Sequence, residues 1–324
     1  MKLLVTGAAG FIGMNLSLRL LRRGDQVLGI DNLNNYYSPR LKQARLAEIA
    51  GLHCSGWDFQ PLDIAEPDAL NSLVESDPDI EAIVHLAAQA GVRYALTDPL
   101  AYARSNLLGQ VAVMEFARRL PRLRKLLYAS SSSVYGQNSK VPFAEGDAVD
   151  HPISLYAATK RSGELLAESY SHLFQIPTVG LRFFTVYGRW GRPDMAPWLF
   201  SKAIRDREPI KLFNHGKLAR DFTYIDDIVE GILAALDRSL PDGVGNHRIY
   251  NLGNSQPIAL MRFVEILEQL FGRPAILSPQ PMQPGDVPTT WADLTRSQAE
   301  LGYHPSTAIE DGLTQFVEWF KNYE

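Results

Sequence analysis

Short apolar runs alternate with stretches in which apolar residues recur every three or four positions, and this rhythm fills the first half of the chain. LLVT (3–6), QVLGID (26–31), AIVHLA (82–87), KLLYAS (125–130) and TVGLRF (178–183) are continuous runs. Parallel strands covered on both faces need such runs. Between them, helical spacing marks Asn15–Arg23, Asp68–Glu75, Pro99–Arg119 and Leu155–Phe174. The alternation predicts an α/β fold with a doubly wound parallel sheet over residues 1–182. After about residue 183 the rhythm loosens and prolines cluster (Pro193, Pro197, Pro274, Pro279, Pro281, Pro284, Pro288). The expectation there is a smaller, loop-rich α/β lobe over 183–324, closing over the carboxyl edge of the sheet. Part of 221–240 is free to pack back on the first domain. A last helix, Ile309–Asn322, ends the chain.

The first strand runs straight into Gly7-Ala-Ala-Gly10-Phe11-Ile12-Gly13. Lacking Cβ, glycines at this spacing allow a tight turn, close approach of a pyrophosphate to the next helix, and close helix–strand packing. Phe11 and Ile12 lie in that helix's first turn. A glycine motif alone is weak evidence, and a plain turn is the alternative. Context strengthens it, because Asp31 ends the second strand, 18 residues after Gly13. A carboxylate there accepts from a ribose 2′-OH and repels a 2′-phosphate, which favours NAD over NADP. Asn32 follows it. Asp63-Ile64, after the third strand-like segment, either meets the adenine edge or is a solvated loop. Leu86-Ala87-Ala88 ends the fourth strand, where small residues let backbone pass close to a cofactor or pack tightly in the core.

Downstream, Tyr156-Ala-Ala-Thr-Lys160 follows the serine run Ser130 to Ser133. Tyr156 and Lys160 are four apart and share one helix face. A free tyrosine, with a pKa of about 10, is a poor base at neutral pH. A neighbouring ammonium and the positive ring of NAD⁺ favour the phenolate. A tyrosine tuned in this way can take a proton from a sugar hydroxyl while hydride leaves the same carbon. A serine at the end of the preceding strand completes the hydrogen bonds to the reacting oxygen.

Composition narrows the field further. A net charge of -4 argues against a broad nucleic-acid surface. The single Cys54 excludes an internal disulfide and fits a reducing, cytoplasmic setting. Neither a signal peptide nor a membrane span is expected. No His-x-x-x-His or paired-cysteine spacing supports a metal site.

Taken with GAAGFIG, HLAAQAGVR (85–93), Asn106, SSSSVYG (130–136), YAATK, LRFFTVYG (181–188), RDFTYIDD (220–227) and YNLGN (250–254), the chain resembles the extended short-chain dehydrogenase/reductase family. Within it, IDNLNNYY (30–37), TVYGRWGRPDMA (185–196), FNHGK (213–217) and MQPGDVP (282–288) are similar to nucleotide-sugar 4-epimerases acting on UDP-glucuronate. The resemblance implies a Rossmann-type NAD-binding domain, a nucleotide-sugar lobe, and a homodimer formed by two long helices per subunit. It makes Tyr156 the base, Lys160 its orienting partner, and Ser131 the catalytic hydroxyl, and puts Asn106 at the cofactor. Ser132 and Ser133 stand where dehydratases of the family carry Asp-Glu and uronate decarboxylases carry Ser-Glu, so the missing acid argues against both reactions. Arg220 matches the arginine on the UDP pyrophosphate, or else pairs with Asp221 at the surface. Asp286 matches a carboxylate on the uridine ribose, or else a Gly-Asp turn. Phe213 matches the uracil-packing position, or else a strand-core residue. Thr185 and the serines surround a sugar carboxylate, Arg192 closes that pocket, and Arg93 faces the sugar. Two departures stand out. Arg189 replaces an expected proline, adding either a pocket cation or a surface charge. Gln283 replaces an arginine of the galactose-type enzymes. The implied activity is interconversion of UDP-glucuronate and UDP-galacturonate through a 4-keto intermediate. A UDP-glucuronate decarboxylase and a 4-epimerase of neutral UDP-hexoses are the alternatives.

Overall fold

A computed structural model describes residues 1–241, 246–283 and 285–324. Pro284, one of the clustered prolines, lies outside the described residues. In chain order the strands are β1 (Lys2–Thr6), β2 (Gln26–Asp31), β3 (Trp57–Pro61), β4 (Ala82–His85), β5 (Lys125–Ser131), β6 (Thr178–Phe183), β7 (Thr185–Tyr187), β8 (Pro209–Leu212), β9 (Ala219–Tyr224), β10 (His247–Leu252), β11 (Pro257–Ala259) and β12 (Ile276–Pro279). The α-helices are α1 (Phe11–Arg22), α2 (Pro39–Ala50), α3 (Pro67–Ser76), α4 (Pro99–Tyr102), α5 (Gly109–Ala117), α6 (Leu155–Phe174), α7 (Ala196–Asp206), α8 (Ile225–Asp237), α9 (Leu260–Phe271) and α10 (Ile309–Tyr323).

Seven parallel strands form the main sheet in the order β10-β6-β5-β4-β1-β2-β3. This is a Rossmann-type doubly wound α/β fold. Strand order reverses between β1 and β4, and ligands of such sheets bind at the carboxyl ends beside that reversal. The sheet is covered on both faces. Leu3 and Val5 of β1 join one apolar cluster with Met14 and Leu18 of α1 and Ile228 of α8. Leu4 joins the other, with Leu70 of α3 and Val113 of α5. Alternate residues of a strand point to opposite faces, so one run of five serves both layers. The first cluster continues without a break into Phe222, Phe263 and Phe316 of the second half.

Elements in the middle of the sheet match their sequence signal closely, and α6 keeps its expected bounds. The two edge strands carry little of that signal. β3 (WDFQP) is half-exposed along its length, and β10 opens with His247 and Arg248. Each has a neighbour on one side only, so polar residues there cost little. The expected Pro99–Arg119 helix is interrupted: α4 passes through a π-helical turn, Ala103–Leu108, before α5. The second half is more regular than its prolines suggest. Helices α7 to α10 run 11 to 15 residues each, and Pro197 sits in the first turn of α7, where its missing N–H is harmless. No helix among the described residues is long and apolar enough to cross a membrane.

One buried ion pair locks α6 to the sheet. Glu164 accepts from Arg182 of β6 at 2.8 and 2.9 Å, and from the Ser130 hydroxyl of β5 at 2.6 Å. Glu164 is 1% exposed and so is Arg182. Burial alone raises the Glu164 pKa, but Arg182 overcomes this and holds it below the usual value. Glu164→Ala strands Arg182 without a counter-charge and should cost about 3–5 kcal/mol of stability. The urea midpoint checks this, and an unchanged midpoint would remove the pair from the account.

Candidate active site

At the carboxyl end of β1, Gly7 takes φ +71°, and a Cβ there would lie 2.8 Å from the Ala87 amide nitrogen. A Cβ on Gly13 would lie 2.2 Å from the Gly7 carbonyl oxygen. The turn therefore packs backbone against backbone and leaves no room for side chains. The Gly10 N–H donates to the Gly7 oxygen at 2.9 Å, and α1 starts at once. Amides in its first turn, Phe11 to Gly13, have no partner within the helix and face an anion site. This cradle, formed by the chain's own backbone, fits a dinucleotide pyrophosphate.

The adenosine side is assembled from three loops. Asp31 is buried, accepts the Leu33 N–H at 2.8 Å, and has the Lys42 ammonium at 3.9 Å. Burial raises its pKa, and Lys42 opposes the rise. Asn32 is exposed and reaches Asp63 at 3.3 Å. Asp63 also caps the Ala65 N–H at 2.9 Å. Ile64 is buried beneath Gly109 and joins the core. On the other side of the glycine turn, the Thr6 hydroxyl accepts from Leu86 and Ala87 amides at 3.1 and 3.0 Å. Asn106, in the π-helical turn, holds Gln89 through its N–H at 2.8 Å and its C=O at 3.0 Å, and donates to Thr159 at 3.0 Å. Its amide is spent within the chain, so it shapes the Leu86–Ala88 wall through backbone and ties that wall to α6.

Ser154 caps α6, accepting from the Ala157 N–H at 3.1 Å. Tyr156, Lys160 and Glu164 then follow on one face. The Lys160 ammonium donates to the Ala129 carbonyl at 2.9 Å and lies 6.0 Å from the Tyr156 ring centre. Burial lowers its pKa to about 8. Burial, with the Lys160 charge adding, drops His85 to about 3, so that imidazole stays neutral. The expected effect on Tyr156 is reassigned. Burial raises its pKa, and the opposing pulls come from the Ser131 hydroxyl and the Arg192 charge rather than from Lys160. Ser131 ends β5 and donates to the Ser133 hydroxyl at 3.1 Å. Ser132, Ser133 and Thr185 are partly exposed. Ser130 turns away to Glu164.

The sequence model of the NAD-dependent epimerase/dehydratase family matches residues 3–253. The chain belongs to that family. It is 50% identical over 322 residues to an uncharacterized protein of Methanocaldococcus jannaschii, covering 98% of this chain and 95% of that one. It is 47% identical over 332 residues to UDP-glucuronate 4-epimerase 4 of Arabidopsis thaliana, covering 99% and 75%. The crystal structure of UDP-glucuronic acid 4-epimerase from Bacillus cereus, in complex with UDP-glucuronic acid and NAD, superimposes with a TM-score of 0.92 at 34% identity, covering all of both chains. The cofactor of the family is NAD, and the cradle described above fits it.

Toward the second half, four expected residues converge. The Arg93 guanidinium stacks 4.6 Å from the Phe213 ring centre. Asp286 lies 3.5 Å from Arg93 and 3.9 Å from Arg220. Arg220 is also held by the Ala219 and Pro288 carbonyls at 2.9 and 3.1 Å. The alternative pairing of Arg220 with Asp221 is not formed. Asp221 is fully buried and accepts the Asn254, Ser255 and Ala292 amides at 2.6, 3.0 and 2.9 Å. Arg189 is a surface charge, half-exposed and 3.6 Å from Asp226. The side-chain oxygen of Gln283 is buried with no hydrogen-bond partner among the described residues. Among the described residues no cluster of metal-ligating side chains occurs.

Sequence reasoning missed Lys42, Arg45, Asp194 and Tyr36. Arg45 and Lys42 had a signal: with Leu41 and Ile49 they lie on the buried face of α2, where charges are out of place. Arg45 is fully buried yet bonds the Ala9 carbonyl at 3.1 Å and the Trp190 carbonyl at 2.7 Å. It thus braces the glycine turn against the loop that carries Arg192.

The lowered pKa of Lys160 makes stability depend on pH. Its ordinary value is 10.5, so between about pH 8 and 10.5 the unfolded chain binds a proton that the folded one has released. The penalty of burying the charge is fully present below pH 8 and is relieved as pH rises through that window, by on the order of 3 kcal/mol. The stability difference between wild type and Lys160→Met, from urea titrations at pH 7.5, 9 and 10.5, should therefore shift toward the wild type. A difference independent of pH would mean that Lys160 keeps its ordinary pKa.

Proposed function

We propose that the protein interconverts UDP-glucuronate and UDP-galacturonate by epimerisation at C4. The observation that carries this reading is the Arg192 guanidinium, gripped along one edge by Asp194 with its other N–H groups left over, together with neutral serine hydroxyls rather than acids after β5. A neutral sugar needs no such cation. The similarity to UDP-glucuronate 4-epimerases supports the same reading.

NAD, when bound, supplies reversible acceptance of the C4 hydride. Tyr156 takes the O4 proton, with Lys160 and Ser131 orienting the exchange. The cradle of Gly7, Gly10, Phe11, Ile12 and Gly13 holds the pyrophosphate, and Asp31, Asn32, Asp63 and Ile64 bound the adenosine end. Leu86, Ala87 and Ala88 form the wall beside the nicotinamide, with Asn106 behind them. Arg220 and Asp286 grip the UDP, Phe213 packs the uracil, and Arg93 lies over that ring. The 4-keto sugar turns about its pyrophosphate and is reduced on the opposite face, with Tyr156 returning the proton.

A carboxylate next to a C4 ketone loses CO₂ readily when the C–C bond aligns with the carbonyl π system. Ser131, Ser132, Ser133 and Thr185 donate to the carboxylate and, with Arg192, hold it out of that alignment. Residues 1–182 carry the cofactor cradle, with Arg93 and the serines turned to the sugar, and 183–324 form the rest of the nucleotide-sugar lobe, with α8 packed back on α1. A cytoplasmic site of action goes with this reading.

A homodimer is part of the proposal. Leu96, Leu100 and Leu108 are 78, 77 and 48% exposed, and Leu165 and Leu173 of α6 are 54 and 65% exposed. Exposed leucines on α6 and on the segment from Leu96 through the π-helical turn favour self-association. Sedimentation should give twice 36.1 kDa, and a monomer at micromolar concentration would reject it.

The direct test is proton NMR of purified protein with UDP-glucuronate and no added NAD. UDP-galacturonate should accumulate toward a near-balanced mixture, and Tyr156→Phe should slow it by ~10²–10⁴-fold. UDP-xylose as the product, or epimerisation of UDP-glucose alone, would overturn the uronate assignment.

A further inference from the structure

Arg192 sits on a loop whose base is fixed by Arg45 and whose tip is tied through Asp194 to Tyr36. At the base, the buried Arg45 guanidinium bonds the Trp190 carbonyl at 3.1 and 2.7 Å and the Gly191 carbonyl at 3.1 Å. Trp190 itself takes φ +64°. These bonds end on backbone carbonyls and leave the long Arg192 side chain with rotamer freedom to lose.

At the tip, Asp194 grips one edge of that guanidinium. Arg192 Nε donates to Asp194 Oδ1 at 3.0 Å, and Nη2 to Oδ2 at 2.5 Å. Two of five N–H groups are used, which leaves both on Nη1 and one on Nη2. The Tyr36 hydroxyl, from the loop after β2, donates to the same Oδ2 at 2.9 Å. Tyr36 is itself braced by the Tyr94 ring at 4.7 Å between centres. Gly91 leaves the space for this cluster: a Cβ there would lie 2.8 Å from the Tyr36 hydroxyl and 3.4 Å from Arg192 Nη2.

We infer that Asp194, steadied by Tyr36, is a positioning residue that clamps Arg192 and presents its free edge to the sugar carboxylate, so that it sets the preference for a uronate over a neutral hexose. The inference rests on the uronate reading of the site. Asp194 makes no contact with the reacting atoms in this scheme. A carboxylate pairs best with a guanidinium edge held in one plane, and a clamped arginine reaches that geometry with less entropy to lose. A neutral sugar has no group that needs the edge.

The test is calorimetric binding of UDP-glucuronate, UDP-glucose and UDP to the NAD-loaded protein, in wild type, Asp194→Asn and Tyr36→Phe, with steady-state kinetics alongside. Loss of one charge-assisted orienting contact should weaken UDP-glucuronate by about tenfold or more in Asp194→Asn. UDP-glucose and UDP should change less than about twofold, near the scatter expected for a site left otherwise intact. The kinetic loss should fall on KM more than on kcat, with Tyr36→Phe in the same direction and smaller. If wild type prefers UDP-glucuronate and Asp194→Asn keeps that preference, or weakens all three ligands alike, the inference is overturned while the uronate reading stands. If wild type shows no preference for UDP-glucuronate, both fall together.

Discussion

The Glu164–Arg182 pair is the constraint from which the geometry of the site follows. A carboxylate and a guanidinium removed from water must find each other, and their bidentate fit admits one relative placement of α6 and β6. Ser130 adds the neighbouring strand β5 to the same carboxylate. Glu164 is four residues beyond Lys160 and eight beyond Tyr156, so the link fixes the whole helix face that carries these two side chains. Ser130 serves structure and Ser131 faces the cleft, because successive strand residues point to opposite sides.

Burial around that face sets the protonation of each group. Lys160 is poised near 8, His85 is neutral, and the Tyr156 phenol is held in its protonated form until Ser131, Arg192 and a bound cationic ring pull against the cost of desolvation. In the proposed reaction the serine hydroxyls bring no negative charge to the substrate carboxylate, and the acid beside Arg192, Asp194, is engaged by the guanidinium and by the Tyr36 hydroxyl.

Cofactor and substrate regions are joined by polar braces as well as by a shared core. Arg45 spans from Ala9 in the glycine turn to Trp190 and Gly191 before Arg192. Asn106 spans from the wall after β4 to Thr159 in α6. Each brace ends on backbone or on a neutral hydroxyl. Loops that would otherwise move independently are thus tied to the same sheet edge, where a dinucleotide and a sugar must meet within bonding distance.

The central strands, α6, the glycine turn and the Tyr156–Lys160 pair were legible because each rests on local spacing: continuous apolar runs, a four-residue helix interval, glycines at a strand–helix junction. The edge strands β3 and β10 were weakly legible because an edge tolerates polar residues. Convergence of Arg93, Phe213, Arg220 and Asp286 was readable only through family resemblance, since no local pattern links positions so far apart. Arg45 on Trp190, 145 residues away, Asp194 under Tyr36, 158 residues away, and the source of the pull on Tyr156 were not legible at all. Short-range periodicity is written into the order of residues and dictates which segments become strands, helices and tight turns. Which buried charge meets which partner depends on how those segments pack, because a desolvated ion takes the best-placed acceptor in three dimensions, however distant it is along the chain.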